Sequence, residues 1–175
     1  MTTGRSTQLT RQIGEHLVAA EFGRIGFVAV PFAGNVPHFD LLVANEAGFS
    51  IPVQVRAING GSWQFDATTL LNIEIKNGRQ KVLGPKLTAN PGLVCILVYL
   101  RGAGKDEFIT TRFRDLQDYF ASTYKGGRRK KNPESTHCVI QLKDIRKKFK
   151  NWNPLLRAFK RRDQKLVRER KPNSK

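Results

Sequence analysis

The chain has 175 residues, with 31 Lys/Arg against 14 Asp/Glu and a formal net charge of +17 at pH 7. This suits one domain plus an extension and points to a polyanionic partner. No run of about 18 apolar residues occurs, which excludes a helical membrane span, and no continuous apolar segment follows Arg5, so no secretory signal is expected. Cys95 and Cys138 each sit in an apolar run and are expected to be buried thiols in a reducing cytoplasm, with no disulfide or zinc site.

In chain order, residues 7–26 read as a helix entered through Ser6 or Thr7. Leu9, Ile13, Leu17 and Ala20 form one apolar stripe, and Val18, Phe22 and Ile25 a second, on which Glu15 falls. Arg11 lies four residues before Glu15, so Glu15 is either half of a surface ion pair or a carboxylate aimed at a neighbouring sheet. Phe27–Phe32 follows as a strand and Gly34-Asn35 as a turn. His38-Phe39-Asp40-Leu41-Leu42-Val43 and Ser50-Ile51-Pro52-Val53-Gln54-Val55-Arg56 then form a hairpin about Asn45-Glu46-Ala47-Gly48.

Residues two apart on a strand share a face, so Gln54 and Arg56 lie together, and Asp40 joins them if it stands opposite Gln54. A slip of one residue would send the Gln54–Arg56 pair to the other face. Leu41, Val43, Val53 and Val55 alternate with these polar groups. Polar groups set among apolar strand residues are costly unless paired or used for binding. Oxygen donors beside a cation suit a hard metal ion and a phosphate.

Gly60-Gly61 breaks the chain before Trp63 and Phe65. Asn72–Lys76 and Arg79–Leu83 flank Asn77-Gly78, the signature of a second hairpin. Leu93–Leu100 is apolar throughout, as a central strand buried on both faces requires, and Glu107–Thr111 is expected beside it. Phe113–Ser122 reads as a helix, Lys125–Lys131 as a basic loop and Cys138–Leu142 as a short strand or buried segment. Asp144–Asn151 and Pro154–Arg170 read as basic helices, the second capped by Asn153.

Charge divides the chain. Residues 1–124 hold 12 Lys/Arg and 10 Asp/Glu, a net +2, whereas residues 125–175 hold 19 and 4, a net +15. We expect residues 1–124 to form an α/β core and residues 125–175 a basic loop, a short strand and a helical extension. Lys125, Arg128, Arg129, Lys130 and Lys131 of the loop are candidate nucleic-acid contacts. Arg146, Lys147, Lys148 and Lys150 of the first basic helix, and Arg157, Lys160, Arg161 and Arg162 of the second, extend that set. A solvated basic face and a membrane-surface helix are the competing readings of the same residues.

The helix with Glu15 and the hairpin with Asp40 and Gln54-Val55-Arg56 together resemble the heart of the PD-(D/E)xK nuclease superfamily, which includes restriction enzymes, Holliday-junction resolvases and repair nucleases. Its pattern is an acid opening one strand, then an acid or glutamine, any residue and lysine on the next, often with a glutamate on the preceding helix. The match spans about residues 8–60. It implies a restriction-endonuclease-like α/β fold with a mixed sheet of four to five strands flanked by helices. It also implies a Mg²⁺- (or Mn²⁺-) dependent DNA endonuclease with Glu15, Asp40, Gln54 and Arg56 as catalytic residues. The metal would be held by Asp40, Gln54 and the backbone carbonyl of Val55, with Glu15 binding directly or through water. Cleavage of both strands would favour a homodimer.

Two departures bear on activity. Glutamine stands at Gln54, a variation known in the superfamily, and arginine replaces lysine at Arg56. Lysine can lose its proton when buried and act as a base, whereas arginine stays charged. A catalytically degenerate DNA-binding module on a nuclease fold is therefore the rival reading, with an RNA-binding protein as a third. Asp66, Glu74 and Lys76 spell a competing acid-x-lysine set, alternatively read as a cross-strand charge arrangement with Arg79 and Lys81. Lys76 or Lys81 could also reach the Asp40 site in place of the missing lysine. His38 is expected at the rim of the Asp40 site, His137 in a structural role, and Trp63, Phe65 and Trp152 in packing more than in base stacking.

Overall fold

A computed structural model of the chain describes residues 4–32, 38–127, 132–146 and 152–160. A long first helix, α1 (Gly4–Arg24), precedes three short strands, β1 (Val28–Pro31), β2 (Leu41–Ala44) and β3 (Ser50–Ile58). After these come β4 (Ser62–Asp66), the hairpin of β5 (Leu71–Lys76) and β6 (Arg79–Pro85), the central β7 (Val94–Tyr99) and β8 (Glu107–Arg112). The helix α2 (Phe113–Thr123), the strand β9 (His137–Gln141) and the one-turn helix α3 (Leu142–Ile145) follow, and residues 153–160 are helical.

Five strands form one mixed sheet in the order β1-β2-β3-β7-β8, in which β3 and β7 run parallel and every other pair antiparallel. The α/β class and the strand number agree with the sequence reading. The alternation along β7 explains its unbroken apolar run. Val94, Ile96 and Val98 enter one core with Val18 and Phe22 of α1, while Cys95 and Leu97 enter a second core on the other face. Leu155 and Phe159 complete the first core beside α1. The second core is closed by α2 and by the two two-stranded ribbons, β4–β9 and β5–β6. The described residues thus form three layers, with a central sheet buried on both faces.

Several boundaries differ from expectation for identifiable reasons. Ser6 and Thr7 lie inside α1, where the Ser6 carbonyl accepts from Thr10 Oγ1 at 2.9 Å, so neither caps the helix. The helix stops at Arg24 because Gly26 takes φ +85° and closes the turn with its N–H donating to the Gly23 carbonyl. Trp63 and Phe65 lie on a strand that the glycine pair obscured, and β4 finds its partner, β9, some seventy residues later. The first basic helix starts at Leu142, two residues before the expected Asp144. Asp144 instead accepts from the Gln141 N–H as the third residue of a capping box. The Gly34-Asn35 turn, residues 147–151 and the stretch from Arg161 onward lie outside the described residues.

Candidate active site

The register of β2 with β3 has Leu41 opposite Val53 as its last pair, one residue short of Asp40. The Asp40 N–H donates to the Val53 carbonyl at 2.9 Å, so Asp40 and Leu41 both face Val53 and the regular pairing ends at Leu41. Along β3, Ile51, Val53 and Val55 turn toward α1, which leaves Gln54 and Arg56 on the opposite face. Asp40 sits where the strand ends and reaches across the sheet's thickness. Its Oδ2 accepts from the Val55 N–H at 2.8 Å, and its Oδ1 accepts from Arg11 Nη2 of α1 at 2.7 Å.

Glu15 is brought to this end of the sheet by its neighbour. A Cβ at Gly14 would lie 2.4 Å from the Ala57 Cβ, so only glycine lets α1 approach β3 this closely. Glu15 is buried together with Val18 and Phe22, on the stripe that faces the sheet, while Leu9 and Ile13 of the other stripe are exposed. The ion pair with Arg11 is thus present, on the sheet side of α1. Glu15 pairs with Arg11, Nε to Oε1 at 2.8 Å, and it does so at the sheet with Asp40 on the same guanidinium. The hydrogen bond to Glu15, followed in effect by the charge of Asp40, raises the Arg11 pKa above its ordinary value.

A cavity of about 400 Å³ opens at this point, walled by Thr7, Arg11, His38, Phe39, Asp40, Gln54, Val55, Arg56, Ala57, Ile58, Trp63 and Gln64. Gln54 Oε1 accepts weakly from the Cys95 thiol at 3.8 Å. Burial pushes that thiol up to about 12, so it stays protonated at neutral pH. Arg56 is held at both ends: its carbonyl accepts from Trp63 Nε1 at 2.9 Å, and its guanidinium lies 4.9 Å from the centre of the Phe65 ring. Past Arg56 and Gln64 a second groove continues along Phe65, Asp66, Thr136 and His137. The structure thus brings Asp40, Gln54, Val55 and Arg56 onto one cavity wall, with Glu15 behind Arg11.

Three residues of this wall carried weak signals in the sequence. Arg11 was visible only as a partner for Glu15; its second contact depends on a strand 29 residues away. His38 lines the cavity in the left-handed backbone region, φ +75°. Gln64 reached the wall through the unrecognised strand β4, and its side chain contacts His137.

The competing triplet does not assemble. Asp66 accepts from the Thr68 N–H and from the hydroxyls of Thr68 and Thr136, contacts that lower its pKa and close the loop, whereas Glu74 and Lys76 pair with each other on the separate β5–β6 ribbon. Lys76 and Lys81 do not line the Asp40 cavity. Trp63 and Phe65 are buried and Trp152 packs 5.3 Å from Phe22, which places all three in packing roles.

Among the basic residues expected to contact nucleic acid, Lys125, Arg157 and Lys160 are exposed. Arg146 is engaged by Glu107, with Nε donating to Oε2 at 2.9 Å. Arg128, Arg129, Lys130, Lys131, Lys147, Lys148, Lys150, Arg161 and Arg162 lie outside the described residues.

The oxygen donors present suit a hard divalent cation, which often uses one or two protein carboxylates and keeps several waters. Asp40, the Gln54 amide oxygen and the Val55 carbonyl on the cavity wall, with Glu15 behind Arg11, are the oxygen atoms at hand. Among the described residues no three His, Cys, Asp or Glu side chains converge on one point. The cation that joins the two carboxylates is Arg11 itself.

No family model matches the chain, and no curated protein matches it. Among solved structures, the bacterial homing endonuclease I-Ssp6803I superposes with a TM-score of 0.44 at 14% sequence identity, covering 95% of this chain and 99% of that one. At that score the likeness transfers no residue of that enzyme's site to this chain.

Proposed function

We propose that the chain is a metal-dependent DNA phosphodiesterase, an endonuclease, acting at the Asp40 cavity. The observation that carries this reading is Asp40 itself: a carboxylate at a strand end, oriented by the Val55 N–H, on one wall with Gln54 and Arg56. Asp40, Gln54 and the Val55 carbonyl would hold Mg²⁺ or Mn²⁺, with Glu15 directly or through water. Such an ion supplies Lewis-acid polarisation of a phosphate and a more acidic bound water.

The protein's own contribution is positional. Arg56, braced by Trp63 and Phe65, offers a fixed cation for a phosphate oxygen and for the charge that develops on it. Arginine cannot take a proton at neutral pH, so the attacking water would lose its proton to solvent. A homodimer, in which two such sites face the two strands, belongs to this proposal.

One observation favours a second reading. Arg11 already pairs with both carboxylates, as a site that had become a DNA-binding surface without catalysis would tolerate. Nicking of supercoiled plasmid in Mg²⁺ or Mn²⁺ separates the two. Cleavage by the parent that is absent in Asp40→Asn supports the nuclease. Binding without cleavage at any divalent-ion concentration supports the binding module.

A further inference from the structure

We propose that the outer face of the β5–β6 ribbon docks in the major groove of duplex DNA, independently of whether the Asp40 site cuts. The two faces of this ribbon differ sharply. Leu71 and Gln80 are buried, and Ile73 and Val82 pack on the second core. The other face carries Asn72, Glu74, Lys76, Arg79, Lys81 and Leu83. The Lys76 side chain is 77% exposed and Leu83 is 60% exposed. Lys76 is ion-paired to Glu74 at 2.8 Å and the register places Lys81 opposite the same acid, while Arg79 stands opposite Lys76, so the face holds three cations and one carboxylate.

The ribbon is also held stiffly from behind. At its base, the Gln117 amide donates to the carbonyls of Leu70 and Lys86 at 2.9 and 2.6 Å, closing both ends of the hairpin. At its flank, the Gln80 amide donates to the Pro133 and Ser135 carbonyls at 2.8 and 2.9 Å, and its oxygen accepts from the Tyr124 hydroxyl. Asn77 and Gly78 both take positive φ, +50° and +69°, which gives the tight turn that keeps the strands paired to the tip. A polar side chain buried to hold backbone on a surface ribbon preorganises whatever the outer face meets. Gly127 pairs by backbone with Gln80, so the basic run that begins at exposed Lys125 starts at the ribbon's flank.

Charge and shape select the occupant. A basic face on a chain of net charge +17 fits a polyanion. A two-stranded ribbon fits the major groove of B-form DNA, about 12 Å wide, whereas the major groove of A-form RNA is too deep and narrow to admit it. Arg79 and Lys81 can then reach guanine edges or phosphates.

The test is fluorescence anisotropy of the full chain in EDTA, which removes any need for cleavage, against one sequence as duplex DNA, single-stranded DNA and duplex RNA. Arg79→Ala/Lys81→Ala should weaken duplex-DNA binding by roughly 10- to 100-fold and lower the salt slope by about 2. Arg24→Ala/Lys105→Ala, which removes the same charge elsewhere, should change binding less than threefold, a limit of about 0.7 kcal/mol. Dimethyl sulfate should find guanine N7 protected by the parent and less so by the ribbon variant, with circular dichroism melting showing both variants folded. No binding of duplex DNA by the parent, equal losses in the two double variants, an equal loss on duplex RNA, or unchanged N7 protection would each overturn the proposal. Binding through the ribbon without cleavage in Mg²⁺ would overturn the nuclease reading alone, and cleavage with an uninvolved ribbon would overturn this one alone.

Discussion

Arg11 and Asp40, 29 residues apart in sequence, meet at 2.7 Å between Nη2 and Oδ1, while Nε of the same guanidinium holds Glu15 at 2.8 Å. A permanent cation therefore occupies the space between the two carboxylates most able to bind a divalent ion. Arg11 and a metal should compete. Removing Arg11 leaves two nearly buried carboxylates without a counter-charge, which raises their affinity for any other cation. We expect Arg11→Ala to bind Mn²⁺ about tenfold more tightly than the parent by calorimetry, equivalent to about 1.4 kcal/mol. Equal or weaker binding would mean that Arg11 and the ion do not share this space.

Asp40 has a structural duty beside its chemical one, and two substitutions separate them. Asparagine keeps an oxygen for the Val55 N–H but loses the charge that pairs with Arg11. Alanine loses both and leaves a strand N–H without its acceptor, a cost of about 1–3 kcal/mol. Asp40→Asn should abolish metal-dependent nicking and unfold in urea near the parent's midpoint. Asp40→Ala should abolish it and unfold earlier. Nicking by Asp40→Asn at the parent's rate would take Asp40 out of the chemistry.

The parts of this arrangement that were legible in the sequence are those governed by local periodicity. The register of β2 with β3, and the placing of Gln54 and Arg56 on one face, follow from alternation along two adjacent strands, whereas Asp40 joins their cavity from the irregular end of its strand. The double burial of β7 follows from its unbroken apolar run. The stripe of Glu15, Val18 and Phe22 follows from helical spacing. What local pattern could not convey were the distant partners. β4 meets β9 some seventy residues further along the chain, and Arg11 meets Asp40 through the close approach that Gly14 permits. Whether the second basic helix packs on the core or extends from it was open in the sequence; Leu155 and Phe159 are apolar and finish the core beside α1.

Cys95 gives the site a pH-dependent support that can be measured. Burial raises its pKa from the ordinary 9.0 to about 12, so folding favours the neutral thiol. The contribution is full below about pH 9, where the unfolded thiol is also neutral, and it declines as pH rises toward 12, by up to roughly 1.4 kcal/mol per pH unit. Urea unfolding of the parent and of Cys95→Ala across pH 8 to about 11 should give stability curves that converge as pH rises. Parallel curves would show that the thiol ionises as easily folded as unfolded.

Arg56 stands where the nuclease pattern that the hairpin resembles has lysine, and its bracing bears on the role proposed for it. Its carbonyl is tied to Trp63 and its guanidinium rests on Phe65, so it presents a fixed charge to the cavity. Arg56→Ala should lower cleavage by about 10²-fold, the scale of one lost transition-state contact. Arg56→Lys loses part of the stacking but gains a group that can share a proton. Its rate should equal or exceed the parent's and rise with pH as the lysine titrates. Equal cleavage by the parent and both variants would remove Arg56 from the mechanism.

Two truncations separate the charge of the last residues from their packing. Ending the chain at Lys160 removes seven Lys/Arg and two Asp/Glu and leaves Leu155 and Phe159 in the core. This variant should melt near the parent and bind DNA with a salt slope lower by up to about 5, equally for all sequences. Ending it at Asn151 also removes fully buried Leu155 and Phe159, which stacks on Phe27 at 4.8 Å, and it strips Trp152 from Phe22. Core truncations of one Leu or one Phe cost about 2–5 kcal/mol each, so this cut removes a large share of a typical domain's stability, roughly 5–15 kcal/mol. The Asn151 variant should therefore be poorly soluble or melt without cooperativity, while the Lys160 variant folds. If both melt like the parent, the 153–160 helix is dispensable to the core. If the Lys160 variant keeps the full salt slope, the non-specific contact lies upstream of it, on the ribbon and the loop that begins at Lys125.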